Sequence, residues 1–200
     1  MRFRTILLST ILSLSIAAPA WAETFKVSRQ ETLLSFRVRN VFSHTNGTFR
    51  DFQGTIEFNK DKPELSSASG EILVDSIDTG FAMRDDHLRS KELFDVEQYP
   101  KITFKTIKAV KLTETTGKVE GLLTIHGIEK PVTLDLVLHA MDTDLSGRTH
   151  LSFTATGTLN RKDFGLKFND ILETGHILVG STIEITVSVE ATLDAEKGGQ

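Results

Sequence analysis

The chain of 200 residues contains no cysteine, and this absence removes several kinds of chemistry at once. Without thiols the protein has no disulfide, no thiolate metal ligand and no thiol redox centre. Tryptophan and tyrosine occur once each, whereas phenylalanine occurs thirteen times, so the aromatic side chains almost all lack a polar tip. An apolar core alone must hold the fold, and phenylalanine is well suited to build it.

A basic surface is also missing. The net charge is −4, and it becomes −6 when Arg2 and Arg4 are removed with the N-terminal segment described next. A chain with this balance offers no broad cationic face, so nucleic acid is not expected as a partner.

No apolar stretch is long enough to cross a bilayer. The longest, residues 6–16, has about eleven residues, whereas a transmembrane helix needs roughly 20. Arg2 and Arg4 precede it and Ala20-Trp21-Ala22 follows, which is the layout of a secretory signal peptide. We therefore predict a signal peptide over residues 1–22 and a single mature domain over residues 23–200, soluble and not membrane-spanning.

Catalytic motifs are absent as well. The sequence has no G-x-S-x-G elbow and no glycine-rich phosphate loop, and its six histidines are scattered without metal-ligand spacing. We expect no enzyme, no catalytic residue, no metal site and no cofactor.

A period of two dominates the chain from Thr24 onward. Ile183, Ile185, Val187 and Val189 alternate with polar residues, and comparable segments recur about eight times, which is typical of half-buried antiparallel strands. Turn signals, such as Thr45-Asn46-Gly47, separate the strands.

About eight such strands form either a sandwich or a closed barrel, and periodicity alone does not distinguish them. Glycines within the apolar faces favour curved strands and therefore a barrel. They are Gly54, Gly70, Gly121 and Gly157. The interior of such a barrel is either filled by side chains or hollow enough for one small ligand.

Residues 76–104 break the pattern. They read SIDTGFAMRDDHLRSKELFDVEQYPKITF and predict a short helical insert near residues 80–95, with Asp78 or Thr79 as its N-cap. Asp85 and Arg89 have the i,i+4 spacing of a helical ion pair.

The same run resembles the signature of the YceI-like family of periplasmic lipid-binding proteins. Two further segments agree, GLLTIHGIEKPV at residues 121–132 and NRKDFGL at residues 160–166. The resemblance implies an all-β, lipocalin-like antiparallel barrel with an elongated apolar pocket, a periplasmic location and no cofactor beyond a bound lipid or isoprenoid. The resemblance is also compatible with a homodimer.

From this reading we predict two sets of ligand-contacting residues. Arg84, His87 and Arg89 would form a head-group rim, although Arg84 and Arg89 could equally pair with acids of the insert and fix it to the wall. The predicted pocket lining is Phe36, Val38, Phe52, Ile72, Phe94, Ile102, Phe104, Leu123, Phe153 and Phe164. Each phenylalanine of this second set could equally be an ordinary core residue that contacts no ligand.

The leading hypothesis is a periplasmic protein that sequesters or carries an isoprenoid, or another long-chain amphipathic lipid such as a quinone. The alternative is a non-catalytic structural or interaction protein of the cell envelope or stress response, with a filled core and no ligand. A third hypothesis, an enzyme of lipid or acid-stress metabolism, would need a polar cluster with a shared proton inside the pocket.

Overall fold

The computed structural model describes residues 22–40, 43–111, 113–167 and 179–194. Apart from Ala22, the predicted signal peptide lies outside these residues. The described parts form eleven strands and one α-helix. The strands are β1 Glu23–Val27, β2 Leu33–Asn40, β3 His44–Phe49, β4 Phe52–Phe58, β5 Ser67–Leu73, β6 Ile77–Asp78, β7 Lys101–Lys111, β8 Thr116–Ile125, β9 Ile128–Thr143, β10 Thr149–Asn160 and β11 Val179–Leu193, and the helix is α1 Ala82–Arg89.

The strands form one antiparallel sheet that closes on itself. Its order is β1-β4-β5-β7-β8-β9-β10-β11, and β1 then pairs back onto β11, with Phe25 opposite Leu193. The long strand β11 also pairs with β2, and β3 and β6 follow β2 in the sheet. The predicted all-β antiparallel barrel with a short helix is confirmed, and the sandwich is excluded.

Several strands are halves of one bent strand, which reconciles eleven strands with about eight apolar segments. Between β1 and β2, the Thr32 hydroxyl donates to the Glu190 carbonyl at 3.1 Å and accepts from the Glu190 N–H at 2.9 Å. These bonds keep β11 paired across the break. β3 and β4 are likewise two halves of one strand, and β5 and β6 are two halves of the next. The first pair of halves lies beside the second, because β3 pairs with β6 and β4 pairs with β5.

The barrel has two different ends. The helix end carries α1, residues 90–100, the β8–β9 turn and residues 161–167, whereas the hairpin end carries the β4–β5, β7–β8 and β9–β10 connections. A buried cluster lies at each end. At the helix end it contains Val74, Ile102, Leu123, Ile125, Phe164 and Leu166; at the hairpin end it contains Phe25, Ile56, Leu151, Val189 and Ala191.

Between the clusters, side chains that point inward are only half buried. In β9 the exposed and half-buried positions alternate from Val132 to Leu138, and β11 does the same from Ile183 to Val187. An inward-facing side chain in a filled barrel would be buried by its neighbours. The middle of the barrel is therefore hollow.

Two local predictions are wrong. Thr45-Asn46-Gly47 is not a turn but the middle of β3, paired with β2. The helix is not capped by Asp78 or Thr79, because Phe81 occupies the N-cap position without a side-chain hydrogen bond.

We predict that Phe25→Ala will lower the free energy of unfolding by about 3 to 5 kcal/mol, because it opens a cavity at a large buried side chain. Phe25 is completely buried and packs edge-to-face on Phe58. Urea denaturation of the mature protein measures this change.

The matched control is Phe81→Ala, since Phe81 is 56% exposed beside α1. It should cost less than about 1 kcal/mol. Equal losses for both variants would contradict the placement of the hairpin-end cluster.

Candidate ligand-binding cavity

The barrel encloses a cavity of about 690 Å³. This volume lies within the usual range for small-molecule sites, about 300 to 1,000 Å³. Its wall is built mainly from the inward apolar side chains of β2, β4, β5 and β7 to β11. Period-two alternation explains the chemistry of the wall, because every second residue of each strand faces the interior.

Two phenylalanine rings lie against the wall because each one covers a glycine of the neighbouring strand, Gly47 directly opposite Phe36 and Gly121 diagonal to Phe104. A Cβ on Gly47 would lie 2.2 Å from the Phe36 ring, and one on Gly121 would lie 2.4 Å from the Phe104 ring. A larger residue at either glycine would therefore push the ring inward. This arrangement leaves the centre of the cavity free.

Nine of the ten predicted lining residues lie on the cavity wall. The exception is Phe164, which packs into the buried cluster at the helix end and lines a cleft on the outer surface instead. Phe164 lies in the 3₁₀ turn Arg161–Phe164 that follows β10, so the alternation of the strands does not govern its direction. That the nine contact a ligand stays a prediction. They are Phe36, Val38, Phe52, Ile72, Phe94, Ile102, Phe104, Leu123 and Phe153.

Of the predicted head-group rim, Arg84 and His87 line the cavity and Arg89 does not. Arg84 donates through Nε to the Thr79 hydroxyl at 2.7 Å and through Nη2 to the Thr79 carbonyl at 2.9 Å. His87 Nε2 lies 2.9 Å from Glu92 Oε2. These two side chains place the Arg84 guanidinium and the His87 imidazole at the helix end of a mainly apolar cavity.

Arg89 instead fixes the helix to the strands. It donates to the carbonyls of Asp75 and Ile77, both at 2.9 Å, and pairs with Asp86. The predicted Asp85–Arg89 ion pair is wrong, because the buried Asp85 carboxylate accepts from the Thr79 N–H and hydroxyl. Of the two readings left open for these arginines, the structural one applies to Arg89.

Sequence reasoning missed a second polar rim at the hairpin end. Lys60, Lys111 and Glu114 line the cavity there, and Lys111 Nζ lies 3.0 Å from Glu114 Oε2. Lys111 reaches the interior because β7 has a bulge between Thr106 and Lys108, which reverses the alternation beyond it. Only the pairing with β8 reveals this shift, so the local pattern gave no signal for it.

Three of the described residues have clearly shifted pKa values. Hydrogen bonds from the Ser146 hydroxyl, the Arg148 N–H and His150 hold the pKa of Asp144 far below its usual range. Lys101 and Gln53 lower the pKa of Glu71. Burial lowers the pKa of the Arg161 guanidinium. Each group is bonded to its neighbours in the fold.

Two features are absent from the described residues. They contain no group of three or more His, Asp or Glu side chains that could hold a metal ion. No helix among them has both the length and the apolar character needed to span a bilayer.

A closed antiparallel barrel with an apolar lumen and polar groups at its ends defines a class of ligand-binding barrels. Within that class, residues 25–191 match the profile of the YceI-like domain. The chain belongs to the YceI-like family, as its motifs predicted.

Curated relatives include UPF0312 proteins of two bacterial genera. One from Pseudomonas putida (strain W619) is 32% identical over 177 residues, covering 87% of this chain and 88% of the relative. Another from Pectobacterium atrosepticum is 35% identical over 167 residues, covering 82% and 86%.

Solved structures show the same fold. Burkholderia cenocepacia BcnA has a TM-score of 0.73 at 23% identity, covering 82% of this chain and 98% of that one. A Campylobacter jejuni YceI protein has a TM-score of 0.68 at 27% identity, covering 76% and 86%. A polyisoprenoid binding domain from Saccharophagus degradans, implicated in plant cell wall breakdown, has a TM-score of 0.65 at 15% identity, covering 86% and 99%.

We predict that Gly47→Ala will reduce the binding of long-chain ligands roughly tenfold, because the new methyl group displaces the Phe36 ring into the lumen. Titration with an environment-sensitive fluorescent prenyl probe measures the affinity. The double variant Gly47→Ala/Phe36→Leu should recover most of it, since leucine removes the ring that collides. If the double variant is as weak as the single one, the ring is not the cause.

Proposed function

We propose that this protein binds an isoprenoid or a related long-chain amphipathic lipid in its barrel and carries or sequesters it in the periplasm. The observation that carries the proposal is the apolar cavity of about 690 Å³ inside the closed sheet. The description of the Saccharophagus degradans domain as polyisoprenoid binding supports the same ligand class. A quinone with an isoprenoid tail would satisfy the same constraints.

Burial of the tail would supply most of the affinity. Each methylene group removed from water contributes about 0.8 kcal/mol, so ten of them contribute about 8 kcal/mol before the costs of ordering are subtracted. Before those costs are subtracted, that sum corresponds to roughly micromolar affinity, which is therefore an upper limit for ten methylene groups. The wall needs no specific polar contact to hold such a tail, and this suits a carrier that must also release it.

The ends of the cavity would determine which head group is accepted. Arg84 and His87 stand at the helix end, and Lys111 with Glu114 stands at the hairpin end. An anionic head group is favoured at Arg84, because a guanidinium forms short, charge-assisted hydrogen bonds to phosphate oxygens.

The N-terminal segment supports the proposed location. Residues 1–22 have the layout of a signal peptide, and its cleavage would deliver the barrel to the periplasm. The alternative is a structural protein with a filled core. It is not favoured, because a filled core would be packed to the density of other protein interiors, whereas this barrel contains a cavity.

The proposal is tested by native mass spectrometry of the mature protein purified from its own periplasm, with organic extraction of anything released. We expect a co-purifying lipid, or uptake of added polyprenol at a one-to-one ratio. A bare protein that takes up neither polyprenol nor quinone would reject the carrier function.

Two adjacent residues of β9 provide a matched pair of variants. Leu136 faces the cavity, whereas Val137 is 43% exposed on the outside. Leu136→Glu should weaken polyprenol binding about a hundredfold, because its carboxylate would be desolvated by the tail. Val137→Glu should bind normally. If Leu136→Glu does not fold, Leu136→Trp fills the same space without a charge and should also block uptake.

The head-group assignment gives a separate prediction. Arg84→Gln should weaken the binding of geranylgeranyl phosphate about tenfold, the value of a charge-assisted hydrogen bond, but leave geranylgeraniol unaffected. Isothermal titration measures both. Arg50→Gln is the control, because Arg50 pairs with Asp78 outside the cavity. Equal effects on phosphate and alcohol would show that Arg84 acts only on the fold.

A further inference from the structure

The barrel wall has a stretch where two neighbouring strands are not joined by a hydrogen-bond ladder. The register of β9 and β10 ends at the pair Asp135–Thr156. Beyond it, β10 remains paired with β11 as far as Asn160, and β9 remains paired with β8 as far as Ile128. Residues 128–134 of β9 and 157–160 of β10 therefore face each other without a register, and we call this stretch the seam.

Pro131 removes one hydrogen-bond donor from the seam. The two-residue turn His126–Gly127, with φ of 51° and 71°, makes Ile125–Ile128 a hydrogen-bonded pair. Because such pairs alternate with non-bonded ones, the pair Leu122–Pro131 is of the non-bonded kind. The backbone nitrogen of residue 131 then faces β10 rather than β8. Proline has no N–H, so it cannot donate across the seam.

At the seam only one layer of side chains separates the lumen from the outside. A cleft of about 900 Å³ runs along the outer surface of β9, β10 and β11. Val132, Leu159 and Ile185 line both this cleft and the inner cavity. The two spaces are therefore neighbours across this part of the wall.

The seam is closed by the turn Arg161–Phe164. Phe164 is only 2% exposed in the helix-end cluster, and Val132 of β9 packs against that cluster. Arg161 holds the turn to the other side, since its guanidinium donates to the carbonyls of Leu166, Val179 and Gly180 at 2.7, 3.3 and 3.0 Å. The closure is thus bonded on the β11 side and makes apolar contacts on the β9 side.

We propose that the seam is the port through which the tail of the ligand enters and leaves the cavity. This inference rests on the proposed function, because it concerns the route to the same cavity. Moving β9 away from the turn Arg161–Phe164 separates apolar contacts and breaks no rung of the β9–β10 ladder. Strand pairs of the ring that remain laddered along this part of the wall would lose backbone hydrogen bonds on parting.

A reversible disulfide tests the port directly, because the chain has no cysteine of its own. Thr133 and Thr158 would be the next hydrogen-bonded pair of the ladder, so Thr133→Cys/Thr158→Cys locks the seam when oxidised. The strands lie close enough here, since a Cβ on Gly157 would be 3.9 Å from Leu134 Cα. The matched control is Val137→Cys/Thr154→Cys, which bridges the same two strands where they are already paired.

Stopped-flow fluorescence with a dansyl-labelled geranylgeranyl probe gives the rates of uptake and release. The oxidised seam variant should slow both about tenfold or more, with the equilibrium affinity within about twofold, because a port changes rates rather than the bound state. Reduction should restore both rates, and the oxidised control should match the wild type. A locked seam with unchanged rates would overturn the port.

A second variant does not depend on disulfide formation. Phe164→Leu keeps an apolar side chain in the closing turn but shortens it, so both rates should rise. Unchanged rates would also count against the port. Failure of the wild type itself to bind the probe or any polyprenol is a separate outcome, because it rejects the proposed function and, with it, the port.

Discussion

The pairing of β1 with β11 is the constraint on which the rest of the structure depends. A short ladder from Phe25–Leu193 to Val27–Ala191 joins the two ends of the sheet. Closure removes two exposed edges and turns the apolar face of every strand toward a common interior. The bonds between Thr32 and Glu190 extend the closure past the break in the first strand. Without the pairing of β1 and its continuation β2 with β11, the same residues would form an open sheet with one apolar face in water.

Much of the barrel could be predicted because its geometry is repeated in every strand. Alternation in a segment such as Ile183–Val187 reports the inner and outer faces directly, and one short-range pattern therefore gave both the strands and most of the wall. The exceptions depend on a neighbouring strand. The bulge after Thr106 brings Lys111 inward, and its position is fixed by the pairing with β8. Gly47 resembles a turn residue locally, but it lies in a strand whose opposite residue, Phe36, covers it.

The charged insert shows the same limit for side-chain pairs. Helix spacing favoured Asp85 with Arg89, worth about 0.2 to 0.5 kcal/mol on an exposed surface. Tertiary contacts override it, since Asp85 bonds to Thr79 before the helix and Arg89 bonds to backbone carbonyls of the preceding strand region. A buried carboxylate requires hydrogen-bond donors, and a guanidinium readily satisfies free carbonyls. Most charge in the insert therefore builds the fold, and Arg84 and His87 are the polar groups of α1 that also line the cavity.

The division between buried ends and a half-buried middle bears on how such a barrel can change the ligand that it accepts. Packing energy is concentrated in the clusters around Phe25 and Phe164, where a substitution would cost stability. Side chains of the middle wall, such as Leu136 and Ile185, already border empty space. Their size can vary with less loss of packing, and each change reshapes the lumen. The same scaffold could thus acquire a new ligand through a few wall substitutions while its closure and folding remain intact.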